Sequence, residues 1–124
     1  MVLLTLLLYI KNLLDVKKAF KSKEIKLSYV KIYKDDAPEY VEVSRQTLKN
    51  QFELPILFYF LITIILINGN ITFLDIVLAW IFSISRYVHA YIRLTSNYIP
   101  MRKNVFTIGY MTLLLSWIYF IIRI

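Results

Sequence analysis

The sequence predicts an all-α integral membrane protein, a bundle of four transmembrane helices. Three observations carry that expectation. Of the 124 residues, 59% are hydrophobic and only 19% charged, with a mean hydropathy of +0.60, whereas a soluble domain is about 45–50% apolar and about 25% charged. The apolar residues gather into stretches close to the roughly 20 residues with which a helix crosses about 30 Å of hydrocarbon. The charge is lopsided, with 15 Lys and Arg against 8 Asp and Glu, a net +7. In so apolar a chain that excess marks the cytoplasmic side of a membrane protein rather than a nucleic-acid partner. The length allows one domain, residues 1–124. The absence of cysteine excludes a disulfide scaffold, and the shortage of polar residues excludes disorder.

The first helix is expected over about residues 2–20. Lys11, Asn12 and Asp15 interrupt it, but Leu6, Leu7, Ile10, Leu13 and Leu14 continue an apolar stripe at helical spacing. No basic segment precedes it and no small-residue cleavage site follows, so it reads as a span with one polar face rather than a signal peptide. Residues 21–42 form the long polar connection, with Lys21, Lys23, Lys26, Lys31 and Lys34 among Glu24, Asp35, Asp36, Glu39 and Glu42. The second helix covers about 43–67, chargeless from 54 onward, and Asn68-Gly69-Asn70 turns the chain. Thr72 with Asp75 three residues later has the form of a capping box and opens the third helix, about 72–95. Asn97 to Pro100 separates it from the fourth, about 100–123, with Pro100 suited to a first helical position.

Four spans put the connection 21–42 and the turn near 97–100 on one side, with both termini on the other. The first side carries nearly all the cations and Arg123 alone falls opposite, so the charged side is expected to be cytoplasmic and the termini not. Ionisable groups at membrane depth are costly and usually face protein or a water-filled cavity. In a continuous second helix Lys49, Asn50 and Glu53 share a face, and on the third Arg86, His89 and Arg93 do so, with Tyr87 and Tyr91 beside them. Glu53 lies 15 residues before Asn68 and Arg86 16 after Asn70, which sets both at one level of the hairpin. Arg102 opens the fourth helix. Each group also has a structural reading: Glu53 with Arg86 as a helix-locking ion pair, His89 as a hydrogen-bonded core residue, the tyrosines as belt aromatics, and the terminal cations as snorkelling anchors.

One histidine and no cysteine do not make a metal site. No glycine-rich phosphate loop is present, and no groove-sized basic element outside the spans suggests nucleic acid. The remaining chemistry is a small, anionic, multiply hydrogen-bonding ligand at the cytoplasmic edge of the membrane, or none. A transporter or channel is disfavoured, because no charged residue continues the polar path to the other side.

Asn50-Gln-Phe-Glu53-Leu-Pro55, preceded by Arg45 and Lys49, resembles the second-helix signature of the MAPEG family, the membrane-associated proteins of eicosanoid and glutathione metabolism. Arg86-Tyr-Val-His89-Ala-Tyr91-Ile-Arg93, followed by Arg102, Phe106 and Gly109, is similar to its second signature. Lys17-Lys18-Ala19-Phe20 resembles the basic end of the family's first helix, and the Asn-Gln-Phe-Glu-Leu-Pro variant resembles bacterial members. The resemblance implies a homotrimer in the lipid bilayer, in the cytoplasmic membrane if bacterial, with glutathione as co-substrate between subunits. It also implies a small lipophilic substrate. By position it makes Arg102 the catalytic, thiolate-stabilising arginine, and Lys49, Asn50, Glu53, Arg86, Tyr87, His89, Tyr91 and Arg93 ligand contacts. This sequence departs from better-known members in having Phe106 and Arg93 where tyrosines stand, Lys103 where a serine stands, and Arg45 five residues before Asn50 rather than four. The function expected is a glutathione-dependent transferase or peroxidase acting on lipophilic electrophiles. The alternative is a non-catalytic trimeric membrane protein that keeps the polar pocket for assembly or another ligand.

Overall fold

The computed structural model describes residues 1–33 and 36–124; Lys34 and Asp35 of the polar connection lie outside the described residues. The described residues are helical with no strand. In order they form α1 (Val2–Lys21), α2 (Leu27–Ile32), α3 (Glu39–Lys49), α4 (Leu54–Asn68), α5 (Phe73–Leu94) and α6 (Ile99–Arg123). Among them, three helical runs are long and apolar enough to cross a membrane: Glu39–Asn68, Phe73–Leu94 and Ile99–Arg123. The 20-residue α1 is not one of these, because Lys11, Asp15, Lys17 and Lys18 interrupt it. The chain divides into two compact units, one of residues 2–50 and one of Met1 with residues 51–124.

The first unit packs α1 against α3. Its core is Ala19, Ile25, Tyr29 and Val41. Buried polar groups on α3 are satisfied locally: Ser44 Oγ donates to the Val41 carbonyl at 3.0 Å and Thr47 Oγ1 to that of Val43 at 2.6 Å. Ser44 also reaches Asn12 Oδ1 on α1 at 3.3 Å. The connection 21–42 holds α2, a helix too short to give a periodic signal in the sequence. Tyr29 anchors it, wholly buried, with its hydroxyl donated to the Glu42 carboxylate. Burial, with Glu42 adding to it, pushes the Tyr29 phenol up to about 12. The neutral phenol is the form the fold prefers, so its stabilisation is complete below the ordinary phenol value near 10 and is lost as pH rises through about 12. Absorbance titration of the solubilised protein should show a late tyrosine step near pH 12 that Tyr29→Phe removes. That variant should also lose about 2 kcal/mol of stability, the worth of a hydrogen bond to a charged acceptor. A titration unchanged by Tyr29→Phe would refute the arrangement.

The second unit is built from α4, α5 and α6. Phe58, Leu61, Ile65, Phe82, Leu113 and Phe120 form its core, and the Phe58 and Phe82 rings stack at 4.6 Å. Gly69, at φ +74°, makes the left-handed turn that stops α4. Thr72 and Asp75 complete the capping box of α5, Thr72 N–H donating to Asp75 Oδ2 at 2.8 Å and Asp75 N–H to Thr72 Oγ1 at 3.3 Å. Asp75 has a second task. Arg123 Nη1, at the end of α6, donates to Asp75 Oδ2 at 2.7 Å and to Thr72 Oγ1 at 2.9 Å. The guanidinium lies 5.0 Å over the Tyr119 ring. This cluster fastens the start of α5 to the end of α6.

Candidate functional site

A continuous second helix through residues 43–67 does not form. After α3 ends at Lys49, Asn50–Phe52 make a 3-10 turn, and Glu53 has the non-helical angles φ −106° and ψ −104°. Pro55, in the first turn of α4, has no N–H to return to the Gln51 carbonyl, and in a continuous helix its ring would crowd that carbonyl. Lys49, Asn50 and Glu53 therefore do not share one helical face. Lys49 is exposed and Asn50 half-buried in the unit of residues 2–50; Glu53 is exposed at the N-terminus of α4. Gln51, not singled out from the sequence, is 4% exposed, with an Oε1 that meets no hydrogen-bond donor among the described residues. Its position four residues before Pro55, which cannot donate to its carbonyl, is the sequence signal for it.

Arg86, His89 and Arg93 do form one stripe of α5 facing α6. Arg86 is 2% exposed. Its guanidinium lies between two phenyl faces, 5.7 Å from the Phe82 ring and 5.0 Å from that of Phe106. The third neighbour is Gly109 of α6, where an added β-carbon would stand 3.1 Å from Arg86 Nη2, 3.4 Å from Nε and 2.5 Å from Ser85 Oγ. A β-carbon here would clash first with Ser85 Oγ and would also press the guanidinium back by a few tenths of an ångström. Nε and Nη2 form the edge that matches a planar oxyanion, and among the described residues neither has a hydrogen-bond partner.

The coupling of Glu53 with Arg86, expected within a subunit or across a trimer contact, is not made within the chain among the described residues. Glu53 stands outside α4 and exposed, whereas Arg86 turns toward Phe106 and Gly109. The charged neighbours of Arg93 are Arg102 and Glu53. A double-mutant cycle should accordingly find Glu53→Gln and Arg86→Met additive within about 0.5 kcal/mol, and Glu53→Gln with Arg93→Met coupled beyond it. The reverse result would restore the pair to Arg86.

His89 is buried, its ring 5.7 Å from that of Phe106, and Arg86, Arg93 and Arg102 all act on it electrostatically. Arg102 is half-buried and positioned by the turn. Asn97, in the left-handed region at φ +48°, donates its N–H to the Ile92 carbonyl at 2.7 Å. Its side-chain oxygen accepts from Arg102 Nη1 at 2.7 Å. Three arginines, a histidine and a single exposed carboxylate thus converge at one end of the α5–α6 hairpin. Tyr87 and Tyr91 do not join them. At 38% and 70% exposed, they sit about 100° or more around α5 from Arg86, as the 3.6-residue turn requires. Among the described residues no group of His, Cys, Asp and Glu could hold a metal ion.

The MAPEG family model matches residues 1–122 of the chain. The chain belongs to the MAPEG family. No curated protein and no solved structure shows a significant match. MAPEG membership and the three long apolar helices make this an integral membrane protein. The family includes glutathione transferases and peroxidases as well as non-catalytic members, so membership alone does not assign the chemistry.

Proposed function

We propose that this MAPEG protein is a membrane-embedded, glutathione-dependent transferase or peroxidase acting on lipophilic electrophiles, assembled as a trimer of four-span subunits with the cationic end at the cytoplasmic face and the termini opposite. The observation that carries the proposal is the uncompensated positive charge around Arg86. A guanidinium this buried, in a segment fit to cross a membrane, is costly without a counter-charge, and an anionic ligand offsets that cost.

Glutathione suits the residues present. Its two carboxylates and its thiolate match Arg86, Arg93 and Arg102, and its one ammonium group matches Glu53. When bound it supplies a thiolate nucleophile. Arg102 lowers the pKa of a neighbouring thiol by favouring its anion. Arg93 and Glu53 orient the charged ends, and His89 offers a ring nitrogen from the wall shared with Phe106. Arg86 offers its Nε and Nη2 edge to a carboxylate. The resemblance assigns ligand contacts to Lys49 and Asn50, adjacent to Glu53 in sequence, and to Tyr87 and Tyr91, whose outward positions on α5 suit contacts with another subunit. The low-dielectric surroundings strengthen each of these electrostatic effects relative to water.

Thermal unfolding of the solubilised protein tests the reading. Glutathione at about 100 times its dissociation constant should stabilise the protein by about 2.7 kcal/mol. S-methylglutathione should do so less and simple thiols hardly at all. No stabilisation by any of them sinks the enzyme reading and leaves the non-catalytic membrane protein.

A further inference from the structure

The connection between α1 and α3 is not a uniformly polar loop: Ile25 and Tyr29 are buried in it, while Leu27, Val30, Ile32 and Tyr33 are exposed. Tyr29 packs α2 into the core of its unit, against Ala19 in the last turn of α1 and Val41 in the first turn of α3. That places α2 alongside the end of a helix marked by Lys17, Lys18 and Lys21, rather than projecting beyond it. From this seat α2 presents Leu27, 74% exposed, and Ile32, 63% exposed, with Val30 and Tyr33 also outward. Leu27, Ser28, Val30 and Lys31 line a shallow groove of about 370 Å³. Lys21, Lys23, Lys26 and Lys31 are all exposed around it. The one acidic residue between positions 21 and 33, Glu24, is engaged by the hydroxyls of Ser22 and Tyr40, each at 2.9 Å.

Large apolar side chains beside lysines that make no ion pair among the described residues, held against the first turn of the Glu39–Asn68 run, which is apolar enough to cross a membrane, have the composition of an element lying in the interface. There leucine and valine enter the boundary between headgroups and acyl chains, lysine stems follow them while their ammonium groups stay among the headgroups, and tyrosine favours the same depth. We infer that α2 docks onto the surface of the protein's own bilayer and recognises anionic phospholipid headgroups through Lys23, Lys26 and Lys31. Each such lysine favours an anionic surface by about fivefold. The inference is independent of the thiol chemistry and stands whether or not glutathione binds.

The chain has no cysteine, so Leu27→Cys can carry a single environment-sensitive fluorophore at an exposed position. The protein is placed in nanodiscs of phosphatidylcholine, with or without phosphatidylglycerol. With phosphatidylglycerol present, the emission should shift to the blue, be quenched by lipids bearing a nitroxide near the headgroup, and resist quenching by aqueous iodide. High salt should reverse the part of this that depends on phosphatidylglycerol, as should Lys26→Gln with Lys31→Gln. A probe open to iodide in both bilayers overturns the inference. So does shallow-lipid quenching that is indifferent to phosphatidylglycerol and to salt. Disulfide cross-linking of Leu27→Cys between copies without lipid quenching also overturns it, since a second copy would then cover the face.

Discussion

Replacing Arg102 by methionine should abolish the ultraviolet absorbance of bound glutathione thiolate at neutral pH while glutathione affinity falls far less. A partly desolvated cation shifts a neighbouring acid by about 1–3 pKa units, each worth about 1.4 kcal/mol. The thiolate fraction, and turnover with it, should therefore drop by about 10- to 1,000-fold. Removing a cation raises the thiol pKa, so activity should return partly as the pH is made alkaline. Glu53→Gln and Asn50→Ala should do the opposite, weakening binding first and leaving the absorbance of whatever ligand remains. Arg102 is suited to this division, because its hydrogen bond to Asn97 ties its position to the turn and not to a ligand. A headgroup anchor at this place would leave the thiolate signal of the variant intact, and that outcome would refute the assignment.

The second large effect belongs to Arg86, and its sign depends on the ligand. In Arg86→Met a flexible apolar chain takes the place of a guanidinium held between Phe82 and Phe106 with two unmet donors. Relieving that burial should stabilise the ligand-free protein by about 2 kcal/mol. The same variant should lose most of the stabilisation that glutathione confers. Chemical unfolding with and without glutathione measures both halves. A ligand-free variant less stable than the parent by about 3 kcal/mol, the cost of breaking a buried pair, would mean that Arg86 has an acidic partner in the assembled protein.

How far the sequence could be read follows from which signals are local. Residues 54–67, 71–85 and 105–122 announce themselves by hydropathy, because crossing a membrane is a property of each segment alone. The stripe of Arg86, His89 and Arg93 was equally legible, since helical periodicity puts it on one face. The break at Asn50–Phe52 is less legible, because hydropathy and spacing run on across it and only Pro55, which cannot donate to the Gln51 carbonyl, marks it. The pair of Asp75 with Arg123 needed the register of two antiparallel helices. Both residues lie close to the same distance from the turn at Pro100, 25 positions before it and 23 after, but the local pattern around Asp75 signals only its capping role. The burial of Arg86 without Glu53 was beyond reach of spacing, because it depends on where Gly109 and Phe106 stand on the facing helix.

That last placement changes how substitutions at position 109 should be interpreted. Gly109 has no functional group to lose, and in an ordinary survey a damaging substitution there would be scored as evidence of ligand contact or helix flexibility. Its part is subtractive: the missing β-carbon leaves room for the Ser85 hydroxyl and, beside it, the Arg86 guanidinium. A methyl group at this site would act on the electrostatic landscape of α5 without altering the number of charges in the chain.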